Sequence, residues 1–133
     1  MRKNVLFFFI VLCLCGIESP AAGSKPDFAV SDIVALKDRF IHIKLQNRSA
    51  ANFRVTPGIK EKIFLVIYIN NIKRAEYKVK YIDPKLFDKK STILFRTNFR
   101  IKKGLKIKVE INRLKIIPES NFKNNTLTKR FAF

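Results

Sequence analysis

Apolar and polar side chains alternate along most of the chain. Ile41, Ile43 and Leu45 fall on one side of a strand, and His42, Lys44 and Gln46 on the other. Tyr77, Val79 and Tyr81 oppose Lys78 and Lys80, and Ile93, Phe95, Thr97 and Phe99 form another face. The clearest case is "LKIKVEIN", where Leu105, Ile107, Val109 and Ile111 stand against Lys106, Lys108 and Glu110. Successive side chains of a strand point to opposite faces, so a period of two with one apolar face predicts half-buried antiparallel strands. No stretch carries a helical period of useful length.

One segment is apolar on both faces. In "KIFLVIYIN" (62–70), Ile63, Leu65, Ile67 and Ile69 share one side and Phe64, Val66 and Tyr68 the other. It reads as a central strand. Its second side is either covered by long lysine stems from neighbouring strands or offered to a partner as an interaction face.

Turn signals separate the strands: "NRSAAN" (47–52), "TPG" (56–58), "NN" (70–71), "DPK" (83–85) and "KKG" (102–104). About seven short strands result, the pattern of an all-β sandwich or small barrel. The last turn is the most distinctive. In "IIPESNFKNNTLTK" (116–129), Pro118 has no N–H and cannot continue a central ladder. Ser120, Asn121, Asn124 and Asn125 can bond nearby backbone, and Asn tolerates the left-handed conformation that corners need. Pro118, Glu119, Ser120, Asn121, Asn124 and Asn125 are therefore read as a corner clamp between the last two strands. "NNTLTKRFAF" opens the final strand, with Leu127, Phe131 and Phe133 on its core side.

The 133 residues suffice for one domain. A basic start, Met1-Arg2-Lys3-Asn4, precedes the unbroken apolar run Val5 to Gly16 and then the small residues of "ESPAAGSKP". The run is too short to span a bilayer and suits a signal-peptide core, so residues 1–21 are expected to be a signal peptide and 25–133 the domain. Cleavage would follow Ser19-Pro20-Ala21, or else Ala21-Ala22-Gly23. An uncleaved anchor and a lipid-modified cysteine are the competing readings; Leu12 and Leu14, which precede Cys13 and Cys15, disfavour the latter. Both cysteines of the chain lie in that run, so the exported domain would have none and be held by its core alone. Export to the periplasm, the cell surface or the medium is expected.

The net charge is +18, and it stays at +17 without residues 1–21. The charge is spread along the chain, which favours solubility and attraction to anionic surfaces. Lys44, Lys78, Lys80, Lys106 and Lys108 all stand opposite core positions. They are either solvated faces or a polyanion site, with Phe64 and Tyr68 expected beside Lys106 and Lys108.

Four stretches together resemble the CARDB family (cell-adhesion-related domain found in bacteria). The family's last hairpin has a pattern like V-x-V-D-x-x-N-x-V-x-E-S-N-E-x-N-N. Here it stands as Val109, Ile111, Asn112, Lys115, Ile117, Glu119, Ser120, Asn121, Phe122, Asn124 and Asn125. "PDFAVSDI" (26–33) resembles the family's first strand, and "IHIKLQNRSAA" (41–51) its second strand and turn. "IYINNIK" (67–73) resembles a strand ending in V-Y-V-D-G. The resemblance implies an immunoglobulin-like antiparallel sandwich in a secreted or surface protein. Asn112, Lys115 and Phe122 depart from the family's Asp, Asn and Glu. The loop has lost acids and gained a cation, which argues against a hard cation such as Ca²⁺.

The rest of the chemistry is sparse. His42 is the one histidine, and it is expected to be solvated on a polar strand face rather than catalytic. No Cys/His cluster has metal spacing, and no glycine-rich phosphate loop is present. Asp27, Asp32 and Asp38 lie near the first strand, where a hydrolytic carboxylate pair is conceivable but unsupported. The expectation is a non-enzyme without cofactor or metal. Two functions follow. One is a binding or adhesion module whose partner is a protein or an anionic carbohydrate such as lipopolysaccharide; nucleic acid is an unlikely partner for an exported chain. The other is a structural subunit that joins an envelope assembly through a strand edge. Too few strands and too many alternate lysines argue against a lipid-facing barrel, despite the terminal "RFAF".

Overall fold

A computed structural model describes residues 25–50 and 55–132. The apolar run with Cys13 and Cys15, and Phe133, expected on the core side of the last strand, lie outside the described residues. The strands are β1 (Phe28–Ala35), β2 (Phe40–Asn47), β3 (Phe64–Ile69), β4 (Ile72–Lys78), β5 (Ser91–Arg100), β6 (Lys106–Ile111) and β7 (Thr126–Arg130). They form two antiparallel sheets, β1-β2-β5 and β4-β3-β6-β7. This is the immunoglobulin-like antiparallel β-sandwich that the alternation and the family resemblance imply.

The apolar faces meet as expected. Phe28, Ile33, Ile41, Ile43, Leu45 and Ile93 line the inner side of the three-stranded sheet, and Leu65, Ile67, Ile107, Val109 and Ile111 that of the other. Each fully buried side chain of this kind contributes about 1.5–3 kcal/mol. One side-chain contact bridges each flank of the sandwich. Lys129 Nζ of β7 reaches Asp32 Oδ1 of β1 at 3.2 Å. Opposite, Tyr77 of β4 meets Phe95 of β5 edge to face, ring centroids 5.0 Å apart.

The alternation of Tyr77, Val79 and Tyr81 does not continue as a strand. β4 ends at Lys78, and Val79–Ile82 is a single helical turn, α2; an earlier turn of the same kind, α1, spans Pro57–Lys60. Val79 N–H makes a last bond to Ile63 O at 2.9 Å, beyond which β3 offers no partner. The chain must then cross to the other sheet. Asp83 starts a 3-10 turn over Pro84–Phe87, its Oδ1 accepting from Lys85 N–H, and Val79, Leu86 and Phe87 plug that end of the core. Tyr81 is left exposed instead of sharing a face with Tyr77.

The corner after β6 is built around Glu119, which is buried. Asn112 leaves β6 with φ 51°, the left-handed region that Asn tolerates. Its Nδ2 donates to Ile117 O (2.8 Å) and to Glu119 Oε2 (2.6 Å). Asn125 Nδ2 donates to the same carboxylate oxygen and to Ile111 O. Glu119 Oε1 accepts from Phe28 N–H, and Ser120 N–H donates to Pro26 O. The corner therefore ties the last two strands together and also fastens β1 to them. Burial pushes the Glu119 carboxyl above its ordinary pKa, against the three donors that favour its anion.

Three β-bulges interrupt the ladders. One lies in β1 between Val30 and Asp32. In β4, Tyr68 pairs with Lys73 and Ile67 with Ala75, so Arg74 is an extra residue. In β5, Phe40 pairs with Arg100 but His42 with Arg96. There the buried Thr97 hydroxyl donates to Ile41 O (2.8 Å) and accepts from Phe99 N–H (3.1 Å), replacing lost ladder bonds.

Candidate interaction surfaces

The outer face of the four-stranded sheet carries β3's second apolar side. Val66 is buried, and Phe64 and Tyr68 are half-buried. Register places Lys78, Glu76 and Lys73 of β4 beside them on one flank, and Glu110 and Lys108 of β6 on the other. Thr126, Thr128 and Arg130 of β7 follow. Lys108 Nζ sits over the Tyr68 ring, 5.1 Å from its centroid. A cation over an aromatic face gains about 0.5–1 kcal/mol at an exposed site. Burial and the neighbouring Glu110 carboxylate raise the Tyr68 pKa, keeping the phenol neutral. A groove of about 100 Å³ at the end of this face is lined by Phe64, Val66, Glu76, Arg113 and Leu114 among others, and Leu114 is 69% exposed.

The five singled-out lysines occupy different places. Lys106 and Lys108 share this outer face. Lys44 is on the outer face of the opposite sheet, between Asp32 and Leu94. Lys80 lies in α2 rather than on a strand. Lys78 and Lys80 both bind Glu61, Lys78 at 2.9 Å. That pair, Lys80 foremost, lowers the Glu61 pKa. Glu61 precedes β3, and its neutralising role is invisible in strand alternation. Arg130, next to Lys106 in register, escaped the sequence analysis although it alternates with Lys129.

His42 is not solvated. It is 8% exposed, and its Nε2 lies 3.1 Å from both oxygens of Asp38. The covering comes from the outer face of β1-β2-β5. Arg96 Nε donates to Asp38 Oδ2 at 2.8 Å, and the Arg96 guanidinium stacks 3.8 Å from the centre of the Phe40 ring. The Phe40 N–H and the Arg96 side chain hold the Asp38 carboxyl down at about 2. The three aspartates near β1 do not form a pair. Asp27 accepts from Asn124, Asp32 binds Lys129, and Asp38 serves Arg96 and His42. Among the described residues, no three His, Cys, Asp or Glu side chains gather as a metal site would require, and no helix is long and apolar enough to cross a membrane.

Two antiparallel sheets of three and four strands make a sandwich with the CARDB fold. Two solved structures show it. The CARDB domain of the PF1109 protein from Pyrococcus furiosus, solved as a crystal structure in complex with di-metal ions, is 13% identical with a TM-score of 0.53. The match covers 82% of this chain and 94% of that one. The solution structure of the same domain has a TM-score of 0.51 at 13% identity, over 82% and 95% of the two chains. No protein-family model and no curated protein matches the sequence.

Proposed function

We propose that the chain is an exported, non-catalytic β-sandwich module of a bacterial envelope or surface that works by binding an anionic glycan or lipopolysaccharide. The observation that carries this reading is the outer face of β4-β3-β6-β7. There Lys108 sits over the half-buried Tyr68, and Lys106 and Arg130 are paired with each other next to it. Cations interleaved with aromatics suit acidic sugars, which present anionic groups and apolar ring faces together. The basic start and short apolar run of residues 1–16 support export. The fold shared with the two solved structures of that CARDB domain supports an adhesion-type role. The test is binding to immobilised lipopolysaccharide, heparin and a neutral polysaccharide. Retention on the neutral polymer equal to that on the other two would sink the proposal.

A second reading rests on β4. This edge strand exposes Lys73, Arg74, Glu76 and Ile72, the last at 56%. A free edge of this kind can accept a strand from another envelope protein. A proline substituted at Arg74 would block such pairing, and an unchanged complex with the partner would exclude this edge.

A further inference from the structure

The two edge strands that face each other across one flank are both bulged at the same end of the sandwich. In β4 the extra residue is Arg74; in β5 the distortion spans Thr97–Phe99, just before Arg100. Bulges re-aim side chains and often border binding sites. Here they frame a cleft of about 520 Å³ between the β3–β4 hairpin, the end of β5 and the β5–β6 turn. That volume lies in the range of small-molecule sites.

The chemistry of the cleft is one-sided. Its walls carry Arg74, Arg100 and Lys102, and its apolar surface comes from Ile69, Phe99 and Leu105. No carboxylate lines it. Among the described residues, none of these three cations takes part in an ion pair, whereas Lys78, Lys80, Arg96 and Lys129 all do. Arg100 is oriented by the Phe40 ring, its guanidinium 5.0 Å from the ring centre. Three cations exceed what a single carboxylate would neutralise. They match a phosphomonoester, which carries a charge of about −1.5 to −2 and three acceptor oxygens near neutral pH. Guanidinium forks bind such groups in bidentate fashion. Ile69, Phe99 and Leu105 would be idle against a free ion and useful against an apolar tail.

We infer that the cleft binds a phosphomonoester carried on a short apolar body, with the phosphate on Arg74, Arg100 and Lys102 and the tail on Ile69, Phe99 and Leu105. The site is separate from the outer sheet face, so it stands or falls independently of glycan binding there.

The test is isothermal titration of the protein with dihexanoyl phosphatidic acid kept below its micelle concentration. Parallel titrations use inorganic phosphate and dihexanoyl phosphatidylcholine. Saturable binding of the phosphatidic acid is expected, weakened about tenfold or more by Arg74→Gln with Lys102→Gln. Lys44→Gln with Lys108→Gln should leave it unchanged. Arg74 and Lys102 are exposed, so their replacement does not threaten the fold. Absence of saturable binding overturns the inference, as does equal weakening by both variant pairs. Phosphatidylcholine binding as tightly would remove the role of the anion, and inorganic phosphate binding as tightly would remove that of the apolar wall.

Discussion

Glu119 Oε1 accepts a hydrogen bond from Phe28 N–H at 2.7 Å, joining residues 91 positions apart in the chain. The same carboxylate takes Nδ2 donors from Asn112 at the end of β6 and Asn125 before β7. One buried side chain thus holds the first strand and the last two. The short amide and hydroxyl residues of "PESNFKNN" are not equal partners in this. Ser120 contributes its backbone N–H, while Asn124 Nδ2 reaches Asp27 at 2.8 Å.

Glu119→Ala should therefore destabilise the domain by about 2–4 kcal/mol, because it leaves buried donors without an acceptor. Ser120→Ala, on an exposed side chain, should change stability by less than about 0.5 kcal/mol. Urea midpoints of the two variants check this, and similar midpoints would show that Glu119 does not organise the corner.

Asp38 gives a pH dependence of definite sign. Its folded pKa of about 2 lies below the ordinary 3.8. Its contribution is thus fully present above the unfolded value and is lost as pH falls through the folded one. Wild type should exceed Asp38→Asn in stability at pH 5, and the gap should close toward pH 2. Glu119 works the other way: its raised pKa favours the folded state most below 4.5 and less as pH rises through the folded value. A wild-type advantage over Asp38→Asn that stays constant from pH 5 to 2 would contradict the Asp38 assignment.

Thr97 is fully inside, and its hydroxyl both donates and accepts within the β5 bulge. Thr97→Val keeps the shape and removes the bonds. A loss of about 1–3 kcal/mol is expected, with faster amide hydrogen exchange at Phe99. Unchanged exchange at Phe99 would mean that the hydroxyl does not hold the bulge.

The strands with one apolar face were legible in the sequence because burial there follows a period of two. β2, β5 and β6 show it, whereas of the two aromatics on β3's second face only Tyr68 lies beside Lys108, and Phe64 is opposite Lys78. The features that escaped depend on partners distant in sequence. Alternation at Tyr77, Val79 and Tyr81 persists where no neighbouring strand remains, so it cannot tell a strand from the turn α2. His42 alternates as a polar residue should, yet Asp38 and Arg96 cover it. Lys78 and Lys80 share the carboxylate of Glu61, 17 and 19 residues away. The bulges that frame the cleft are matters of register, which alternation does not record.

That shared carboxylate separates the lysines. Lys78→Gln with Lys80→Gln should weaken heparin binding less than Lys106→Gln with Lys108→Gln, since Glu61 offsets one of the two ammonium charges. A loss as large as that caused by Lys106→Gln with Lys108→Gln would place α2 in the binding surface.

The measurement that bears most directly on the proposed function is the salt dependence of lipopolysaccharide binding. Wild type is compared with Lys106→Gln, Lys108→Gln and Arg130→Gln combined. Each cation that contacts a polyanion releases about one counterion, so binding should weaken steeply with salt and the logarithmic slope should fall by about three in the triple variant. Identical slopes and affinities for the two proteins would show that this face is merely solvated, and would contradict the account.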